Sequence, residues 1–173
     1  MSDYRRWYVE GGTYFLTLVA KNRRQILTTD HGREFLRNGI ATVRESFPFE
    51  IVANILLPDN WHLVMQLPPG DRDYSIRIKQ IRTEFTRQWL DSGHAEVAVS
   101  DSQKSKGERG VWQPRFWEHT IQDEDDLQQC CDYIHWNPVK HELADRVQDW
   151  PWSSFHRFVK AGQYEIDWGG TIP

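Results

Sequence analysis

At 173 residues the chain is long enough for one well-packed domain and too short for two ordinary ones. With 39% hydrophobic and 27% charged residues it is neither a disordered nor a collagen-like chain, and no apolar run reaches signal-peptide or membrane-span length. A formal net charge of −4 excludes a uniformly basic nucleic-acid coat, so any such surface must be local: residues 1–92 carry 13 Lys and Arg against 11 Asp and Glu, and residues 93–173 carry 8 against 14.

Residues 13–20 (TYFLTLVA), after Gly11-Gly12, are an aromatic and β-branched run that predicts a strand buried on both faces. Thr28-Thr29-Asp30 offers N-cap residues to a helix over about 31–46, with Phe35, Ile40 and Val43 as its partial stripe and Phe47-Pro48 as its end. Residues 49–57 and 61–67 are two β-type runs joined by the turn formers Pro58-Asp59-Asn60, which predicts a hairpin. A second helix over about 75–91 buries Ile78, Ile81, Phe85 and Trp89 and turns Arg77, Lys79, Arg82 and Arg87 to its other side. Residues 92–110 are polar, contain Gly, Ser and Lys, lack a hydrophobic period and read as a long mobile loop. A strand near 116–121 precedes a helix from Asp123 to about Asn137, broken at Asn137-Pro138, and a short C-terminal helix covers about 153–161.

This order, β-α-β-β-α-β-α, is the split βαβ pattern of a ferredoxin-like or RRM-like α+β fold, expected here as one domain over 1–173. Its antiparallel sheet would carry helices on one face and leave the other available. Cys130 and Cys131 are neighbours on a helix and point about 100° apart, so they read as reduced thiols packed as small hydrophobes in a cytoplasmic protein.

Two pairs of polar residues share a face. Asn60 and His62, two apart on a strand, project together; Tyr133 and Asn137, four apart, are neighbours on a helix beside Asp126 and Gln129. Each also has an ordinary structural reading: His62 as a hydrogen-bonded interior residue, Tyr133 as an aromatic covering the sheet, and His135-Trp136-Asn137 as a helix terminus.

Six blocks carry a more specific signal: YRRWYVEGGTYFLTL, LPDNWHLVMQLPPGD, IKQIRTEFTR, GVWQPRFWEHTIQDEDDL, YIHWNPVKHEL and WPWSSFHRFV. In this order the chain resembles the REP-associated tyrosine transposases, a branch of the HUH single-tyrosine transposases of bacterial insertion sequences. The resemblance implies a tyrosine nucleophile on a helix, a polar metal ligand one turn later, and a divalent metal held by a His-hydrophobic-His strand. Residue by residue, Tyr133 matches the nucleophile, Asn137 the ligand one turn on and His62 the second histidine. Asn60 stands where the first histidine is expected, and Glu142 where glycine is usual. An asparagine carbonyl still suits a hard ion, so Mg²⁺ or Mn²⁺ is the expected cofactor.

The implied activity is cleavage and strand transfer of single-stranded DNA at palindromic hairpins through a 5′-phosphotyrosine, by a monomer or homodimer away from membranes. The departure at Asn60 keeps a second reading open, a hairpin-binding protein that no longer cuts; a metal-dependent hydrolase acting with water is a third. Candidate DNA contacts are Arg5 and Arg6, Arg77, Lys79, Arg82 and Arg87 on the second helix, and Lys104, Lys106 and Arg109 in the loop.

Overall fold

The computed structural model describes residues 8–169, so Arg5 and Arg6 lie outside the described residues. In chain order the elements are β1 (Thr13–Val19), α1 (Asp30–Ser46), β2 (Glu50–Leu56), β3 (Asn60–Gln66), α2 (Tyr74–Asp91), α3 (Asp101–Ser105), β4 (Trp117–Thr120), α4 (Glu124–Lys140) and α5 (Phe155–Lys160), with single 3-10 turns at Lys21–Arg23 and Val147–Asp149. The strands form one antiparallel sheet in the order β2-β3-β1-β4, and the fold is α+β, as the sequence order predicts.

Strands β1, β2 and β3 carry apolar residues toward both sides of the sheet, and this decides where the helices go. Tyr14, Leu16 and Leu18 of β1 join Trp61, Leu63 and Met65 of β3 on one face, against Phe35 and Leu36 of α1 and Ile78, Ile81 and Phe85 of α2. Phe15, Ala53, Ile55 and Val64 point the other way and meet Cys131 and Ile134 of α4 and Phe155 and Phe158 of α5. The expectation that all helices share one face is thereby corrected. Four apolar side chains on the second face need cover from water, worth about 1.5–3 kcal/mol for each large one, and α4 supplies it.

Beyond that, the C-terminal segment protects the β2 edge: Leu56 N donates to Trp152 O (2.9 Å) and Ser154 N to Asn54 O (2.9 Å). Among the described residues no helix is long and apolar enough to cross a membrane.

Two local expectations also change. Residues 92–110 contain α3, opened by a capping box between Ser100 and Gln103, and Val97 N donates to Gly110 O (2.9 Å). A Cβ at position 110 would lie 1.7 Å from Val97 O, so only glycine permits this approach. Instead of breaking at Asn137-Pro138, α4 runs on to Lys140. Proline in the last turn removes only one backbone bond, and the end is closed by Glu142 N donating to Val139 O (3.0 Å) and Leu143 N to Pro138 O (2.8 Å). Glu142 occupies the left-handed position of that closure, with φ 56°.

Candidate active site

Sheet register builds the site. His62 pairs with Thr17 and Asn60 with Val19 across β1 and β3, while Trp117 pairs with Thr17 and His119 with Phe15 across β1 and β4. Directly opposed residues project on the same face, so this set looks toward α4. That helix presents Asp126, Gln129, Cys130, Tyr133 and Lys140, spaced at three, four and seven residues along one side. A cleft of about 680 Å³ separates the two layers.

Tyr133 is 39% exposed in this cleft. Its ring stands edge-on to His62 with centroids 5.6 Å apart and edge-on to Phe15 at 5.8 Å, and Lys140 Nζ lies 4.9 Å from the ring centre. His62 is buried, and its Nδ1 is 2.7 Å from Thr17 Oγ1. Burial, assisted by the nearby His141, holds its imidazole down at about 4, so the ring is neutral at pH 7. When Nδ1–H donates to the threonine oxygen, Nε2 carries the lone pair that a metal requires.

Asn60 is anchored from the other side. Its Nδ2 donates to Asp59 Oδ1 (2.7 Å), and Asp59 Oδ2 accepts from Arg23 Nη1 (3.0 Å). Since a carboxylate can only accept, the amide nitrogen must face it. Asn60 Oδ1 is left buried with no hydrogen-bond partner among the described residues. An orphaned carbonyl oxygen two positions from a neutral imidazole is a donor set that fits a divalent cation.

Asn137, one turn beyond Tyr133, is fully buried; neither of its amide atoms has a partner among the described residues, and it does not line the cleft. The structure thus gathers Tyr133, His62 and Asn60 in one cleft and keeps Asn137 in the interior. Sequence reasoning missed Thr17, Trp117, Lys140 and His141. Lys140 follows Tyr133 by seven residues and was legible from helical spacing, had the helix not been ended at Asn137.

The sequence matches the family described as Transposase IS200 like over residues 8–137. It is 44% identical to the REP-associated tyrosine transposase of Escherichia coli (strain K12), over 99% of this chain and 93% of that one. A Haemophilus influenzae protein, provisionally named a REP-associated tyrosine transposase, is 48% identical over 99% of this chain and 95% of its own. A solved structure of a REP-associated tyrosine transposase bound to a REP hairpin superposes with a TM-score of 0.80 at 41% identity, covering 100% of this chain and 94% of the other. The chain belongs to the REP-associated tyrosine transposases.

In this member of the family, the cations predicted to meet DNA divide by burial. Arg77 is 1% exposed: its guanidinium donates to Pro48 O, Asp73 O and Asp71 Oδ2, so it ties the start of α2 to neighbouring loops and cannot reach a phosphate. That expectation is corrected. Arg82 donates to Gln113 O (2.6 Å) and Pro114 O (3.3 Å), and burial lowers its pKa to about 10.

Lys79, Arg82, Arg87, Lys106 and Arg109 do converge. With Lys21 they line a second hollow of about 950 Å³ between α2 and the segment ending at Phe116, together with Asp73, Asp91 and Glu108. Arg87 is engaged by Glu84 and Asp91, and Arg109 is held by Glu96. Lys104 is exposed outside this hollow, 3.8 Å from Asp101. Phe116 lines the hollow and Trp117 the cleft, so the two depressions meet across one strand edge.

Proposed function

We propose that this transposase cuts and rejoins single-stranded DNA at REP-type hairpins, with Tyr133 as the nucleophile. The observation that carries the reading is the exposed Tyr133 side chain standing across a cleft from the buried, neutral His62. The tyrosine oxygen attacks the scissile phosphorus in line and the bond from phosphorus to the 3′ oxygen breaks. The departing oxygen takes up a proton to become a free 3′-hydroxyl, the phenolic proton is lost to solvent, and a 5′-phosphotyrosine remains.

A 3′-hydroxyl from a second strand then attacks the same phosphorus and restores tyrosine. One phosphodiester is exchanged for another, so transfer needs no external energy source. Lys140 stabilises the developing phenolate by its charge near the ring. Asn60 and His62 would hold Mg²⁺ or Mn²⁺, which when bound would polarise the phosphate and offset its charge.

The relative solved with a REP hairpin supports that ligand for this chain. The stem lies against the cationic hollow and the single strand turns the β4 edge, where Trp117, 55% exposed, offers a base a stacking surface. The hairpin-binding protein that no longer cuts is the competing reading, favoured by the asparagine at position 60.

Incubation of a labelled hairpin oligonucleotide with protein and Mg²⁺ or Mn²⁺, followed by a denaturing gel, separates the two. A covalent adduct is expected, lost with EDTA and with Tyr133→Phe, while a mobility shift shows hairpin binding retained. Hairpin binding without any adduct from the wild type would establish the binding-only reading.

A further inference from the structure

Beside the cleft, three metal-ligating side chains converge that the strand-transfer chemistry does not use. His119 is set by the β1–β4 register on the same sheet face as Phe15, and α4 begins four residues after β4 ends, which returns its first two turns over that face. His119 Nε2 lies 2.9 and 2.8 Å from the two oxygens of Asp126. Cys130 Sγ, one turn further along α4, is 3.9 Å from Asp126 Oδ1. One ligand atom from each of the three residues fits within a mutual distance of 4.8 Å.

We propose that His119, Asp126 and Cys130 form a binding site for a borderline-soft divalent ion of the Zn²⁺ type, separate from the pair Asn60 and His62. Bonds of about 2.0–2.3 Å in a tetrahedron place donor atoms about 3.3–3.8 Å apart, so rotamer adjustments suffice to close this triangle on an ion. A nitrogen, an oxygen and a sulfur donor together select zinc-like ions over Mg²⁺, which takes oxygen ligands and keeps its water.

The carboxylate is already aimed, because Gln122 N donates to Asp126 Oδ2 (2.8 Å). A plain ion pair between His119 and Asp126 accounts for two of the groups, and the half-buried thiol packed 3.9 Å from the same carboxylate adds a third donor. Binding exchanges protons for the ion. The thiol S–H bond breaks as the sulfur–metal bond forms, and its proton goes to solvent; the proton between Nε2 and Asp126 moves to Nδ1 or to solvent.

Three protein ligands leave a fourth position. Asp126 and Cys130 both line the cleft that contains Tyr133, so that position opens toward the cleft and takes water or a phosphate oxygen.

The site does not depend on the strand-transfer reading, and its test measures no DNA cleavage. The metal-free full chain is titrated with Co²⁺, which accepts the same donors as zinc and reports a bound thiolate by a charge-transfer band. One equivalent is expected to produce that band, with displacement by Zn²⁺ and retention in Cys131→Ser and in His62→Ala. Cys130→Ser should abolish the band, and His119→Ala should weaken binding by about tenfold or more.

A band absent from the wild type, or surviving Cys130→Ser, overturns the proposal. Asp126→Asn gives a second measure: Zn²⁺ should raise the unfolding temperature of the wild type by more than that of this variant. An equal rise in both overturns it as well.

Discussion

Asn60 shows how one side chain carries meaning that composition does not. Its amide nitrogen is fixed by Asp59, which turns the carbonyl oxygen into the free donor where a histidine nitrogen is expected by family resemblance. Asn60→His should therefore tighten Mn²⁺ binding by at least about tenfold, the loss that even an outer-sphere partner can cause. Adduct yield at limiting Mn²⁺ checks this, and no gain would mean that position 60 does not limit the ion.

His135 makes a different point. It is fully buried with Nε2 2.8 Å from Ser154 Oγ, and burial, reinforced by Arg157, lowers its pKa from 6.5 to about 4. Between those values the unfolded chain binds a proton that the folded chain refuses, so stability is full above 6.5 and is lost progressively as pH falls toward 4. The slope contributed by one such group is at most about 1.4 kcal/mol per pH unit. Urea midpoints measured across this range should show a shallower acid slope for His135→Gln than for the wild type.

The helices and strands were largely legible, because their apolar periods and caps are local signals. Thr29 caps α1 by accepting from Gly32 N, Asp73 caps α2 by accepting from Ile76 N, and the turn at 58–60 joins β2 to β3. The end of α4 was not legible from Pro138, since a proline stops a helix only where the lost bond matters. That misreading hid Lys140 from the reactive face. Glu142 is a further consequence: a side chain in the left-handed region costs about 1 kcal/mol or more relative to glycine. Glu142→Gly should raise the unfolding temperature by about 2–4 °C, read by calorimetry, with α4 otherwise unchanged.

Across the whole molecule, the net charge of −4 conceals a basic hollow beside a cleft. Exposed Lys79 and Lys106 are free to meet phosphates, whereas Arg77 is committed to the fold. Lys79→Ala and Lys106→Ala should each weaken hairpin binding and reduce the slope of log affinity against log salt by about 1, measured by fluorescence anisotropy across salt concentrations. The sequence by itself determined the order of elements, the α+β class, the family and the residue types able to do the chemistry, because periodicity, turn formers and motif spacing act over a few residues. Only the tertiary structure decided that α4 covers the second sheet face, that Thr17 meets His62, that Arg77 is interior, and that His119 approaches Asp126 and Cys130. Those outcomes depend on strand register and on which apolar face must be covered, and both are settled between segments far apart in the chain.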